Sequence, residues 1–170
     1  MKYALLIFSF ALALSACKKK VEECTLTPGS TVASANEELM ITNYLSTNSI
    51  TTAVEFENSG LYYIIDNPGT SEKPGLCSVM AVKYVGKLAN GTIFDQTVGT
   101  ATASFTLGGL IEGWKRSLPL IGEGGKIRLF IPPSMGYGAN GLINSNTGVT
   151  IIPGNSILIF DVEVVAVVSK

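Results

Sequence analysis

The sequence predicts an α+β fold: an antiparallel sheet with one short helix laid over it. Three observations carry the prediction. From Gly60 onward the apolar residues recur mostly with period two, as strands half-buried in a sheet require. Turn-forming residues, among them Asn90-Gly91 and the Pro-Gly pairs of residues 67–75, separate these runs. Between them only residues 111–118 read as helical, ended by Pro119. A sheet with one apolar face must bury it against something, and the helix bearing Trp114 is the available cover.

Taken in order, the elements begin with an export signal. Lys2 supplies a short positive region, and residues 4–14 are an almost unbroken apolar run. A bilayer-spanning helix needs ~20 such residues, so the run suits a secretory signal instead. Leu14-Ser15-Ala16-Cys17 follows and resembles the bacterial lipobox, whose cysteine is lipidated and becomes the mature N-terminus. Residues 18–33, rich in Lys, Glu, Thr, Ser and Gly, read as a tether. Ser34 and Glu37 have capping-box spacing, and Met40, Ile41, Tyr44 and Leu45 share one face of a short helix. The division is therefore a signal at 1–16, a lipidated tether with a short helix at 17–55, and a folded domain at 56–170.

Within that domain Leu61, Tyr63 and Ile65 alternate with Tyr62, Ile64 and Asp66. In residues 77–88, Met80, Val82 and Tyr84 share one face, opposite Cys77, Val79, Ala81 and Lys83. Ile127, Leu129 and Ile131 are expected inward, with Lys126, Arg128 and Phe130 outward. In the last strand Leu158, Phe160, Val162 and Val164 face one way and Asp161 and Glu163 the other. No internal repeat is present.

Composition narrows function. The net charge is -1, and Lys18-Lys19-Lys20 is the one basic run, so no face suits nucleic acid. The chain has no histidine, which removes Ser-His-Asp and Cys-His catalysis and most catalytic zinc sites. Gly122-Glu123-Gly124-Gly125-Lys126 lacks the spacing and the following Ser or Thr of a phosphate-binding loop, and reads as a turn before a strand. With Cys17 lipidated, Cys24 and Cys77 remain as an even pair in an oxidising compartment, where a disulfide between them would persist.

Three stretches together resemble the FKBP family of peptidyl-prolyl isomerases. The first is Tyr84-Val85-Gly86-Lys87-Leu88-Ala89-Asn90-Gly91-Thr92-Ile93-Phe94-Asp95. The second runs from Phe105-Thr106-Leu107-Gly108 through Ile111-Glu112-Gly113-Trp114 and Gly124-Gly125-Lys126 to Ile131-Pro132-Pro133 and Tyr137-Gly138. The third is Ile151-Ile152-Pro153-Gly154-Asn155-Ser156 followed by Leu158-Ile159-Phe160-Asp161-Val162-Glu163. Order and spacing agree over roughly residues 75–168.

The resemblance implies a strongly bent antiparallel sheet wrapped around one short helix, with an apolar pocket between them. Tyr84, Asp95 and Tyr137 would be the catalytic residues, and Phe94, Ile111, Trp114, Ile151 and Phe160 would bind substrate, with Trp114 as the floor. The Ile111 N–H and the Tyr137 hydroxyl would hold carbonyls of the bound peptide, and Asp95 would accept a hydrogen bond from a tyrosine opposite. The implied reaction is rotation about Xaa-Pro bonds, assisting folding, with no metal and no cofactor; the alternative is a peptide-binding chaperone of the same fold with little turnover. The implied partners are proline-containing unfolded or flexible polypeptides and a membrane reached through Cys17, with macrolide inhibitors possible ligands and a monomer expected. The expected location is the cell envelope, on the periplasmic side of a bacterial outer membrane.

The chain departs from the family pattern at several points. The segment from Gly108 to Ile111 is short, no arginine closely follows Asp95, and Ala103 replaces a usual aromatic, which would open one wall. Residues 142–150 form a longer, Asn- and Gly-rich stretch expected to be a mobile loop over the pocket.

Overall fold

The computed structural model describes residues 24–70 and 72–168. The signal-like segment, the lipobox-like run and Cys17 lie outside the described residues.

Helix α1 (Ala35–Thr47) starts where the capping box puts it. Ser34 Oγ accepts from the Glu37 N–H at 3.4 Å, and the Ser34 N–H donates to Glu37 Oε2 at 2.8 Å. Ile41 and Leu45 are buried, whereas Met40 is 39% exposed and leaves the expected apolar face.

The strands follow as β1 (Val54–Glu55), β2 (Tyr62–Asn67), β3 (Val79–Leu88), β4 (Ile93–Gln96) and β5 (Ala103–Thr106). Helix α2 (Glu112–Ser117) and then β6 (Lys126–Ile131), β7 (Leu142–Ile143), β8 (Thr150–Ile152) and β9 (Leu158–Val168) complete the chain. The main sheet has the order β1-β2-β6-β9-β3-β4, with β5 also paired to β3, and every pairing is antiparallel. Register shifts opposite Ala81/Val82 and Gly86/Lys87 of β3 leave one extra residue in each partner strand, Val165 in β9 and Phe94 in β4, and mark bulges there. Such bulges bend a strand and raise its twist, which curls this sheet toward α2.

The inner face holds Met80, Val82, Ile127, Leu129, Ile131, Leu158, Phe160, Val162 and Val164, packed against Trp114 and Leu118. Gly113 lets the helix come close: a Cβ there would lie 2.7 Å from the Ile131 side chain. Pro119 does not stop the chain abruptly. It sits in a 3-10 turn, Leu118–Leu120, that continues α2, at an early position where its missing N–H leaves no bond unmade.

The outer face corrects the expectation of a single covered face. Phe130 does point away from the main core, yet it is fully buried. It lies with Tyr62, Ile64, Ile157 and Ile159 beneath Ile41 and Leu45 of α1, its ring centroid 6.0 Å from that of Tyr44. The unbroken run Ile157-Leu158-Ile159-Phe160 is therefore a strand covered on both sides, α2 on one and α1 on the other. Cys24 and Cys77 form a disulfide with a Cα–Cα distance of 5.7 Å, fastening the N-terminal segment just ahead of β3. Among the described residues no helix is long and apolar enough to cross a membrane.

Candidate functional site

Period-two alternation turns Tyr84 of β3 to the same side as Met80 and Val82, partly buried against the main core. The hairpin into β4 sets Asp95 opposite Gly86, within reach of Tyr84: its hydroxyl donates to Asp95 Oδ2 at 2.6 Å. Gly86 also faces Phe160 across β9. A Cβ on Gly86 would lie 2.7 Å from both the Phe94 and the Phe160 rings, so glycine is what allows these rings to meet over the strand. They meet edge to face, centroids 5.4 Å apart.

Trp114, 4% exposed, closes the bottom from α2. Its ring makes edge contacts with Tyr84 at 5.5 Å, Phe160 at 5.2 Å and Phe105 at 6.3 Å between centroids. Three rings thus fix the indole from several sides. Its N–H is buried without a hydrogen-bond partner, at a desolvation cost of roughly 1–3 kcal/mol. Ile111 caps α2 in extended conformation, and its carbonyl accepts from the N–H groups of Trp114 and Lys115. Tyr137 enters from the turn after the 3-10 segment Pro133–Met135, half-buried.

These side chains enclose a cavity of about 300 Å³, lined by Tyr84, Phe94, Asp95, Phe105, Gly109, Leu110, Ile111, Trp114, Tyr137 and Phe160. Both phenols are held in the neutral, donating form. Burial first, then the hydrogen bond to Asp95 and its negative charge, push Tyr84 well above the ordinary phenol value of 10. Burial and the charge of Asp95 push Tyr137 upward in the same way.

Seven of the eight pocket residues expected from the sequence are brought together. The exception is Ile151, which sits half-buried in β8 against the main core and is not among the lining residues. The β8 strand pairs with β7 as a separate two-stranded ribbon. Phe105, Gly109 and Leu110 were not anticipated. Phe105 was legible in principle, since it pairs with Met80 across β3 and so shares that residue's inward face. Its ring lies 6.2 Å from that of Tyr84, and both line the cavity. Within residues 142–150 the Asn144 N–H donates to the Val149 carbonyl and the Gly148 N–H to the Asn144 carbonyl, closing a hairpin.

The lining offers no nucleophile beside a base. It offers an apolar box with hydroxyl donors and one carboxylate at the rim, which suits holding an amide and changing its conformation.

Comparison with known proteins points the same way. The profile of the family described as FKBP-type peptidyl-prolyl cis-trans isomerase matches residues 70–165. The chain is 35% identical over 125 residues to the FKBP-type isomerase FkpA of Aeromonas hydrophila, covering 73% of this chain and 44% of that protein. It is 39% identical over 115 residues to FkpA of Escherichia coli K12, covering 67% of this chain and 40% of that one. It thus spans less than half the length of these two curated relatives. The crystal structure of Escherichia coli FkpA matches with a TM-score of 0.65 at 36% identity, over 78% of this chain and 60% of that chain. A peptidyl-prolyl cis-trans isomerase from Pseudomonas syringae matches with a TM-score of 0.65 at 29% identity, over 83% of this chain and 100% of that one.

Proposed function

This chain belongs to the FKBP-type peptidyl-prolyl cis-trans isomerase family, and on that premise we propose that it accelerates rotation about Xaa-Pro bonds in unfolded or flexible polypeptides. One observation supports this most: Tyr84 fixes Asp95 at the rim of a ring-walled cavity floored by Trp114.

The chemistry follows from the amide. Its rotation barrier is ~18–20 kcal/mol because planarity permits charge-separated resonance. Water stabilises that polar planar form. A proline ring seated among Phe94, Phe105, Trp114 and Phe160 leaves water behind, which favours the twisted, less polar amide. The Ile111 N–H and the Tyr137 hydroxyl hold the flanking carbonyls while the bond turns, and Asp95, already engaged by Tyr84, shapes the rim. Each tenfold acceleration needs about 1.4 kcal/mol, within reach of desolvation and one or two hydrogen bonds. No covalent bond changes, so the reaction needs no nucleophile, base or metal.

The test is a protease-free isomerisation assay on a soluble fragment beginning near Val21, with a proline-free unfolded protein as chaperone control. Faster cis–trans exchange in an Xaa-Pro tetrapeptide supports the enzyme. Protection of the proline-free protein with no rate above background would replace it with a peptide-binding chaperone of the same fold. The same cavity would take a macrolide inhibitor, checked by competition with the tetrapeptide.

We also propose that the protein works as a monomer in the cell envelope, lipid-anchored at Cys17 on the periplasmic side of an outer membrane. The lipobox-like run supports the anchor, multiple acyl chains give stable attachment, and the Cys24–Cys77 pair suits an oxidising compartment. Cys17→Ser should release the protein or leave an uncleaved precursor; normal membrane retention of that variant would count against the anchor.

A further inference from the structure

Arg116 lies two residues beyond Trp114 on α2, and its side chain is only 8% exposed. Burying a guanidinium is costly unless its surroundings compensate. Here the compensation comes from several segments at once. Nη1 donates to the Thr31 carbonyl at 2.6 Å and lies 3.8 Å from Met135 Sδ. Nη2 is 3.8 Å from Glu57 Oε2, and the guanidinium carbon stands 5.0 Å above the Phe56 ring. Glu57 is itself 73% exposed, so that ion pair is weak and the neutral partners matter more.

The partners are placed around the cavity. Met135 is fully buried two residues before Tyr137. The same turn is held a second time, by the Ser134 N–H donating to Glu37 Oε1 at 2.7 Å. Thr31 belongs to the segment that leaves the Cys24–Cys77 bridge and crosses behind α2. On the way Leu26 lies against Gly108, next to the lining residue Gly109, and the Ala33 N–H donates to the Ser59 carbonyl. Arg116 therefore joins the helix that carries the floor to the turn that carries the Tyr137 hydroxyl. A leucine or methionine would fill the same space without the desolvation cost, but it could not bond the strap and the turn together. A lysine ammonium has donors but no planar fork to reach the strap and the turn together while stacking on Phe56, and it is more strongly hydrated.

We propose that Arg116 is a positioning residue for the reaction, setting the distance between Trp114 and Tyr137 by clamping α2, the N-terminal strap and the Pro133–Met135 turn. The inference rests on the isomerase reading above, and the test separates the two. Trp114 is the only tryptophan in the sequence, so fluorescence excited selectively at tryptophan reports on the pocket floor alone. In the full chain, Arg116→Met and Arg116→Lys should each lower kcat about tenfold, the loss of one well-placed hydrogen bond, with KM changing less. Both should shift the Trp114 emission at temperatures where circular dichroism shows the fold intact. Wild-type kcat and emission in a folded Arg116→Met protein would overturn the proposal, as would full rescue of both by lysine. Should Arg116→Met fail to fold, Cys24→Ser/Cys77→Ser, which frees the strap and leaves Arg116 in place, decides: unchanged kcat and emission overturn the clamp, and a fall in kcat with an emission shift supports it. If the wild-type chain shows no turnover, the isomerase reading fails. The clamp is then judged by Trp114 emission and by its quenching on titration with a tetrapeptide bearing leucine before proline.

Discussion

Asp95 stands between two phenols, and only Tyr84 donates to it. Its charge nevertheless raises both, so each keeps its proton through the neutral range. With no histidine in the chain and both phenols pushed upward, turnover should be flat between about pH 6 and 9. A sigmoidal rate profile in that interval would contradict this. Stability behaves differently. In the unfolded chain a phenol ionises near 10, in the fold only later, so the unfolded chain loses protons first and stability falls as pH climbs past 10. Tyr137→Phe removes one donor from the cavity and should lower turnover about tenfold while leaving the melting temperature nearly unchanged. Asp95→Ala should also slow the reaction, by loosening Tyr84, and its exposed position makes the fold tolerate the change. Equal rates in wild type and both variants would remove these residues from the mechanism. Much of this was legible in the sequence because Tyr84, Phe94, Asp95, Trp114, Tyr137 and Phe160 sit in motifs with fixed spacing. The pairing of β8, which carries Ile151, was not legible, because spacing along the chain does not say which of two sheets a short strand will join.

Long strands declared themselves and short ones did not. β3 and β9 run long enough for alternation to show, whereas β1 and β7 have two residues each and carry no period to detect. The capping box located the start of α1, but nothing in its sequence said what it covered. That answer lay in Phe130, Ile157 and Ile159, whose apolar character on the face opposite the main core has no purpose unless a second element buries it. The β7–β8 hairpin is the element whose contribution to function is most open to test. Its tip exposes Ile143 (56%) and Val149 (62%). Exposed apolar groups at a hairpin tip suit contact with an extended chain more than with a tetrapeptide, which the cavity floor alone can hold. Replacing residues 144–149 by a tight turn, with Ile151 and Ile152 kept, should reduce turnover of an unfolded protein several-fold more than turnover of a tetrapeptide. Equal effects on both substrates, or none, would show that the hairpin selects nothing.

At the scale of the whole molecule, the N-terminal segment is part of the fold before α1 begins. The sequence presented residues 18–33 as a tether, and composition supported that, since Lys, Glu, Ser and Gly pack poorly. What composition could not convey is that residues 26, 31 and 33 each meet the domain and that the cysteines at both ends of the path are bridged. The cysteine pair itself was legible; the route between them was not, because it depends on where α2 and the Pro133–Met135 turn lie in space. The bridge spans a sequence separation of 53 residues. Closing a loop of that size in the unfolded chain lowers its entropy by the equivalent of about 4 kcal/mol on the chain-entropy model. A domain of this size has only about 5–15 kcal/mol of stability, so the bridge is a large share of it. Reduction with dithiothreitol, or Cys24→Ser/Cys77→Ser, should therefore lower the denaturation midpoint substantially. The entropic origin makes a second, sharper demand. Because the cross-link acts on the unfolded chain, its loss should appear mainly as slower refolding, whereas loss of the strap's native contacts should appear as faster unfolding. Chevron analysis of oxidised and reduced protein separates the two. A reduced protein with an unchanged midpoint and unchanged refolding arm would show that the bridge contributes nothing to stability.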